Sequence, residues 1–144
     1  MAVLDLDRVN VNGSATTRDE AIREAGAALV AAGAVDAAYV DAMFDRENTV
    51  STYMGNFLAI PHGTNDAKDA IHASALSFTR YDQPIDWDGN EVRFVVGIAG
   101  LNNEHLDILS KIAIVFSDDD EVAKLLAAST AQEVYDLLGD VNAE

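Results

Sequence analysis

Val92-Arg93-Phe94-Val95-Val96-Gly97-Ile98-Ala99 is the stretch on which the fold turns. A strand with one wet face alternates apolar and polar residues, whereas this run is apolar almost throughout, so it reads as a strand buried on both faces. Such a strand needs a layer of helices on each side. Upstream, Thr17 and Glu20 form a capping box ahead of Ala21, Ile22, Ala25, Leu29 and Ala32, which recur at helical spacing until Gly33. Asp36 is placed to cap a second helix that carries Val40, Met43 and Phe44 on one face and ends near 46–48. Downstream, helices are expected over 104–116, with Leu106, Leu109, Ile112, Ala113 and Phe116, then over 121–128, then over 131–138 behind Thr130 and Glu133. Residues 57–60 and 74–81 read as strands, and Asp86-Trp87-Asp88-Gly89-Asn90 has turn chemistry. This interleaving predicts one layered α/β domain over residues 1–144.

Composition narrows the function. The chain has 144 residues and is 49% hydrophobic, enough for a core that folds unaided. Its apolar runs fall short of the ~20 residues that cross a bilayer, and its N-terminus is acidic, so a soluble, cytoplasmic protein is expected. With no cysteine there is no disulfide, thiol nucleophile or thiolate metal site, and cysteine chemistry would belong to a partner. Nine basic against 25 acidic residues give a net charge of −16, which disfavours nucleic acid and anionic membranes. That field favours a basic protein surface, and it is equally the composition of a chain from a salty or acid-tolerant host.

Three histidines are available, His62, His72 and His105. His62 stands in Ile60-Pro61-His62-Gly63-Thr64, where proline stiffens the chain and glycine admits close approach, a setting for a working imidazole and also for an ordinary surface turn. His105 follows the buried strand through Gly100-Leu101-Asn102-Asn103-Glu104, at the sheet edge where α/β proteins bind ligands, and is also placed as a solvated residue at a helix start. If the strand before His62 runs parallel to 92–99, the two imidazoles converge. A neutral imidazole is a competent nucleophile for phosphoryl transfer, with a donor such as His105, the amides of Gly63 and Thr64, and the fork of Arg46 to hold phosphate oxygens. Arg46 could equally pair with Asp45 or Glu47. His72 reads as a strand-face residue. A metal site would draw on His62, His105 and Glu104, without any HxH, HxxxH or HExxH spacing, and Ser-His-Asp catalysis lacks its G-x-S-x-G elbow.

Several separated motifs carry a family resemblance: Ala59-Ile60-Pro61-His62-Gly63-Thr64, Ala67-Lys68-Asp69, Gly97-Ile98-Ala99 with Asn102-Asn103-Glu104-His105, and Ala42-Met43-Phe44-Asp45-Arg46-Glu47. Together they resemble, nearly end to end, the EIIA domain of the mannitol and fructose class of the bacterial phosphoenolpyruvate-dependent sugar phosphotransferase system, with the mannitol type nearest. The resemblance implies a mixed, mainly parallel sheet flanked by helices on both faces. It also implies a phosphorelay, in which HPr donates a phosphoryl group to His62 and a cysteine of EIIB, on a separate chain or an EIICB transporter, accepts it. His105 and Arg46 take the places of the second histidine and of the arginine that stabilise the group. Gly63, Thr64, Asn102 and Glu104 would line its pocket, and no metal or other cofactor is implied. Two alternatives remain beside the relay: a nitrogen-type regulatory EIIA that acts through its phosphorylation state, and a metal-dependent hydrolase using His62 and His105.

Overall fold

The computed structural model describes residues 3–101 and 104–139, without the side chains of Asn65, Asp66 and Lys68. Five strands, β1 (Val9–Asn10), β2 (Tyr53–Gly55), β3 (Leu58–Ala59), β4 (Ala75–Trp87) and β5 (Asn90–Ala99), form one sheet in the order β1-β4-β5-β3-β2. The sheet is mixed. β1 pairs parallel with β4 and β3 parallel with β5, while the long β4–β5 pair and the β2–β3 pair are antiparallel. Helices α1 (Arg18–Ala31) and α2 (Ala38–Thr49) precede the long strands, and α3 (Glu104–Phe116), α4 (Asp119–Ala127) and α5 (Ala131–Leu137) follow them.

The expected double burial of 92–99 is what divides the core. Phe94, Val96 and Ile98 pack with Ile108, Ile112, Phe116, Leu125 and Val134 under α3, α4 and α5. Val95 and Ala99 turn the other way, onto Ile22, Ala25, Leu29, Tyr39 and Met43 of α1 and α2. Successive side chains of a strand point to opposite faces, so a run that is apolar at both parities is the signature of a two-sided core. Phe94 is fully buried with its ring edge-on to Phe116 at 5.3 Å, so truncating it to alanine would cost about 3–5 kcal/mol.

α1 starts as expected, with the Thr17 side chain accepting the Glu20 N–H. α2 does not. Ala37, without a side-chain cap, stands at the N-cap, and Asp36 lies one residue before it with its Oδ1 2.7 Å from His72 Nε2. His72 is accordingly an exposed residue ahead of β4 rather than a strand-face one. The strand expected over 74–81 runs on to Trp87, with an irregularity between Arg80 and Ile85 that accommodates Pro84, and the hairpin turns at Asp88 and Gly89, both at positive φ. α4 begins two residues early, capped by Asp118.

Candidate functional site

The site forms where β3 runs out. Beyond Ala59 the chain keeps a neighbour on each side: Ile60 donates its N–H to the carbonyl of Thr52, just ahead of β2, at 3.1 Å, while on the β5 side Ile98 donates to the Pro61 carbonyl at 3.0 Å and His62 bridges Ile98 in parallel. His62 is thereby delivered to the carboxyl end of β5, the edge where α/β sheets place their ligands. β5 then passes through Gly100 into α3. A Cβ on Gly100 would stand 2.5 Å from Cα of His105, so only glycine lets α3 begin so close to the strand end. The result is convergence across 43 positions of sequence: the rings of His62 and His105 lie 5.0 Å apart, tilted by 58°.

His62 is buried, at 9% exposure, and its Nδ1 lies 2.8 Å from the Ile60 carbonyl oxygen. A carbonyl can only accept, so Nδ1 carries the proton and Nε2 holds the lone pair. Burial pushes the His62 pKa below the ordinary imidazole value, the Ile60 hydrogen bond opposes this, and the charges at His105 and Arg46 lower it further. His105 is lowered by the same causes, burial first and then Arg46. Both rings are therefore neutral at neutral pH. Arg46, in the last turn of α2, donates from Nη1 to the Val50 carbonyl at 2.6 Å, which aims its guanidinium along the loop into β2 and brings its charge within reach of both imidazoles.

Of the residues expected from sequence, His62, His105 and Arg46 are thus brought together. Gly63 is placed differently from expectation: its amide is not an open donor, because it gives its proton to the Tyr39 hydroxyl at 2.9 Å. That hydroxyl donates in turn to the Ile98 carbonyl at 2.8 Å. A side chain at Gly63 would reach within 2.6 Å of the Tyr39 ring, so the glycine makes room for the tyrosine rather than for a ligand. Thr64 is half-buried, and its carbonyl accepts the Ala67 N–H at 3.1 Å where the short 3-10 helix Asn65–Ala70 begins. Glu104 is the half-buried first residue of α3, and Asn102 lies outside the described residues. Among the described residues no group of three or more His, Cys, Asp or Glu side chains is arranged to hold a metal ion.

Tyr39 is a site residue that the sequence does not disclose. It appears in a helical pattern as one more apolar position, and only the fold shows its hydroxyl inserted between Gly63 and Ile98, fixing the backbone on the far side of His62.

A neutral imidazole with an unprotonated Nε2, beside a second imidazole and a guanidinium at the carboxyl edge of a mixed sheet, is the equipment of a phosphoryl carrier. The comparisons place that class more narrowly. The chain belongs to the family of phosphoenolpyruvate-dependent sugar phosphotransferase system EIIA 2 domains, whose model matches residues 2–141. It is an EIIA component, a phosphotransferase relay protein. It is 52% identical over 140 residues to the mannitol-specific phosphotransferase enzyme IIA component of Halalkalibacterium halodurans, covering 97% of each chain. The Escherichia coli enzyme IIA solved in complex with phosphorylated mannitol enzyme IIB has the same fold, with a TM-score of 0.87 at 34% identity over 94% of this chain and 98% of that one. A nitrogen regulatory IIA protein from Neisseria meningitidis aligns with a TM-score of 0.79 at 26% identity, over 94% of this chain and 96% of that one.

Proposed function

We propose that this chain, as a single phosphotransfer domain, takes a phosphoryl group from phospho-HPr onto His62 and passes it to a cysteine of a separate EIIB during mannitol uptake. The observation that carries this reading is the Nδ1–H bond from His62 to the Ile60 carbonyl, which presents Nε2 as the nucleophile. The Nε2 lone pair attacks phosphorus, the P–N bond at His62 forms as the bond from phosphorus to the carrier breaks, and the carrier keeps that electron pair. Transfer onward is the same exchange with a cysteine thiolate as nucleophile, and that thiolate must come from a partner because this chain has no cysteine.

Arg46 and His105 offset the charge that arrives. Burial first, and the Arg46 charge second, hold both imidazoles unprotonated before transfer, so the acceptor is ready; a phosphoryl dianion at Nε2 then reverses the local field and favours protonation of His105, turning it into a charge-assisted donor. Thr64, Glu104 and Asn102 would contribute to the rim of this pocket, and Gly63 through backbone shape rather than through its amide.

Mannitol is favoured by the 52% identity to a mannitol-specific component, which exceeds the 26% to the nitrogen regulatory protein. A cytoplasmic location suits this work, and no helix among the described residues is long and apolar enough to cross a membrane. The test is reconstitution with phospho-HPr and a mannitol-type EIIB: label should reach the EIIB cysteine through this chain and not through the His62→Ala variant. Passage of label through His62→Ala would sink the assignment, and transfer only to a regulatory partner would favour the nitrogen-type role.

A further inference from the structure

The motif Asp45-Arg46-Glu47 contributes one residue to the cluster, and its neighbour points the other way. Glu47 is 3% exposed, and no ion pair to its carboxylate is found among the described residues. Three neutral donors meet it instead: the Thr52 N–H at 2.6 Å, the Thr52 hydroxyl at 3.1 Å and the indole Nε1–H of Trp87 at 2.5 Å. A buried carboxylate is costly to keep without a purpose, and hydrophobic replacement of buried charge is often neutral for stability.

Thr52 is where the network meets the site. Its carbonyl accepts the Ile60 N–H, and the Ile60 carbonyl accepts the His62 Nδ1–H. Two residues earlier, Val50 offers the carbonyl that holds Arg46. The stretch 50–52 thus carries two carbonyls, one aiming the guanidinium and one, through Ile60, aiming the imidazole, and among the described residues the side chain that anchors Thr52 is Glu47. Trp87, from the far end of the β4–β5 hairpin, fixes that anchor in turn.

We infer that Glu47, clamped by Trp87, is a positioning residue for phosphoryl transfer: through Thr52 and Ile60 it holds His62 in the tautomer and orientation that present Nε2. This rests on His62 being the phosphoryl acceptor. Glu47→Gln is the sharp perturbation, because a carboxylate accepts from all three donors, whereas an amide must turn its NH2 towards one of them. Trp87→Phe removes one donor and leaves Thr52 anchored. The double variant relieves the amide of its facing indole.

With phospho-HPr at saturation, Glu47→Gln should slow single-turnover phosphorylation of His62 roughly 10–100-fold, the range for losing a group that orients a functional ligand. The KM for phospho-HPr should stay put, since these groups are buried. Trp87→Phe should cost only a few-fold, and the double variant should recover to the Trp87→Phe rate. In nitrogen-15 NMR of the unphosphorylated protein, Glu47→Gln should lose part of the His62 Nδ1–H population while the melting curve stays cooperative. The single indole N–H resonance, from the only tryptophan in the chain, reports on the clamp directly.

A folded Glu47→Gln protein with the wild-type saturating rate and an intact Nδ1–H would overturn the inference. So would a change confined to KM, or a double variant no better than Glu47→Gln alone. If Glu47→Gln fails to fold, Trp87→Phe and Thr52→Val carry the test: each should slow saturating transfer and perturb the His62 tautomer, and wild-type behaviour in both overturns it. Phosphorylation persisting in His62→Ala would instead overturn the acceptor assignment, leaving the two failures distinguishable.

Discussion

Replacing Tyr39 with phenylalanine removes one oxygen from the least accessible part of the site. Tyr39 is 2% exposed, and its hydroxyl is the link between the Gly63 N–H at 2.9 Å and the Ile98 carbonyl at 2.8 Å. The Ile98 carbonyl is buried and the Gly63 N–H half-buried, and an unpaired buried donor or acceptor costs about 1–3 kcal/mol. The donor is the more expensive of the two, because a carbonyl is more often tolerated with a lone pair unused. The sum is about 2 kcal/mol of stability, and for a chain of this size that lowers the melting temperature by about 4–8 °C. The loss is local as well as global, since Gly63 immediately follows His62. The expected readout is therefore a lowered melting temperature together with slower phosphorylation of His62 at saturating donor. An unchanged melting temperature and rate would mean that Gly63 closes directly onto Ile98 once the hydroxyl is gone, and the wedge assigned to Tyr39 would be refuted.

Arg46→Lys should slow transfer about tenfold, because a point charge replaces a fork and at least one charge-assisted hydrogen bond of roughly 1.5 kcal/mol is lost; stopped-flow transfer from phospho-HPr measures it, and a wild-type rate would count against the role. Acceptor activity should persist as pH falls past the ordinary imidazole value of about 6.5 and fail only lower, where Nε2 of His62 becomes protonated; a pH profile whose acid limb sits at or above that value would contradict the lowered pKa. The same lowered values of His62 and His105 mean that the folded state disfavours the charged forms. Their stabilising contribution is present above about pH 6.5 and is lost as pH falls towards the folded values, so the denaturant midpoint should drop less steeply on acidification in a His62→Gln, His105→Gln double variant. Gly100→Ala should push α3 away from the end of β5, because its Cβ would stand 2.5 Å from the His105 backbone; the two rings should separate and transfer slow, and retention of the ring proximity in NMR spectra would disprove the close approach.

The layered architecture was legible because 92–99 is apolar at both parities, a pattern that local chemistry alone explains. The convergence of His62 and His105 was legible for a related reason: two strands running parallel bring their carboxyl ends to one edge, and β3 is parallel to β5 in register Leu58 to Phe94. Strands β1 and β2 span two and three residues, too few to display any period. The outer half of β4 was hidden by Asp82, Gln83 and Pro84, which read as a connection and in fact occupy an exposed irregularity in a strand that continues to Trp87. Asp36 was misjudged because a capping aspartate and one that hydrogen-bonds a distant side chain look alike until His72 is seen 36 positions away.

What sequence could not reveal were the groups whose partners are distant in the chain. Arg80 reads as a strand residue, yet it is 6% exposed and donates to the carbonyls of Leu125, Leu126 and Ala128 at the end of α4. Those carbonyls are the orphans of a helix terminus, and a cation there also complements the helix dipole. Glu47 and Tyr39 are of the same kind: residue types that serve many purposes, made specific only by what the fold sets against them.

The central claim is that His62 carries the phosphoryl group. It is tested most directly by incubating the protein with phosphoenolpyruvate, Enzyme I and HPr, then determining intact mass and mapping peptides under alkaline conditions that preserve phosphohistidine. One phosphoryl group, dependent on HPr and located on the peptide containing His62, is the predicted result; no modification with competent carriers, or modification at His72 or His105 instead, would contradict it.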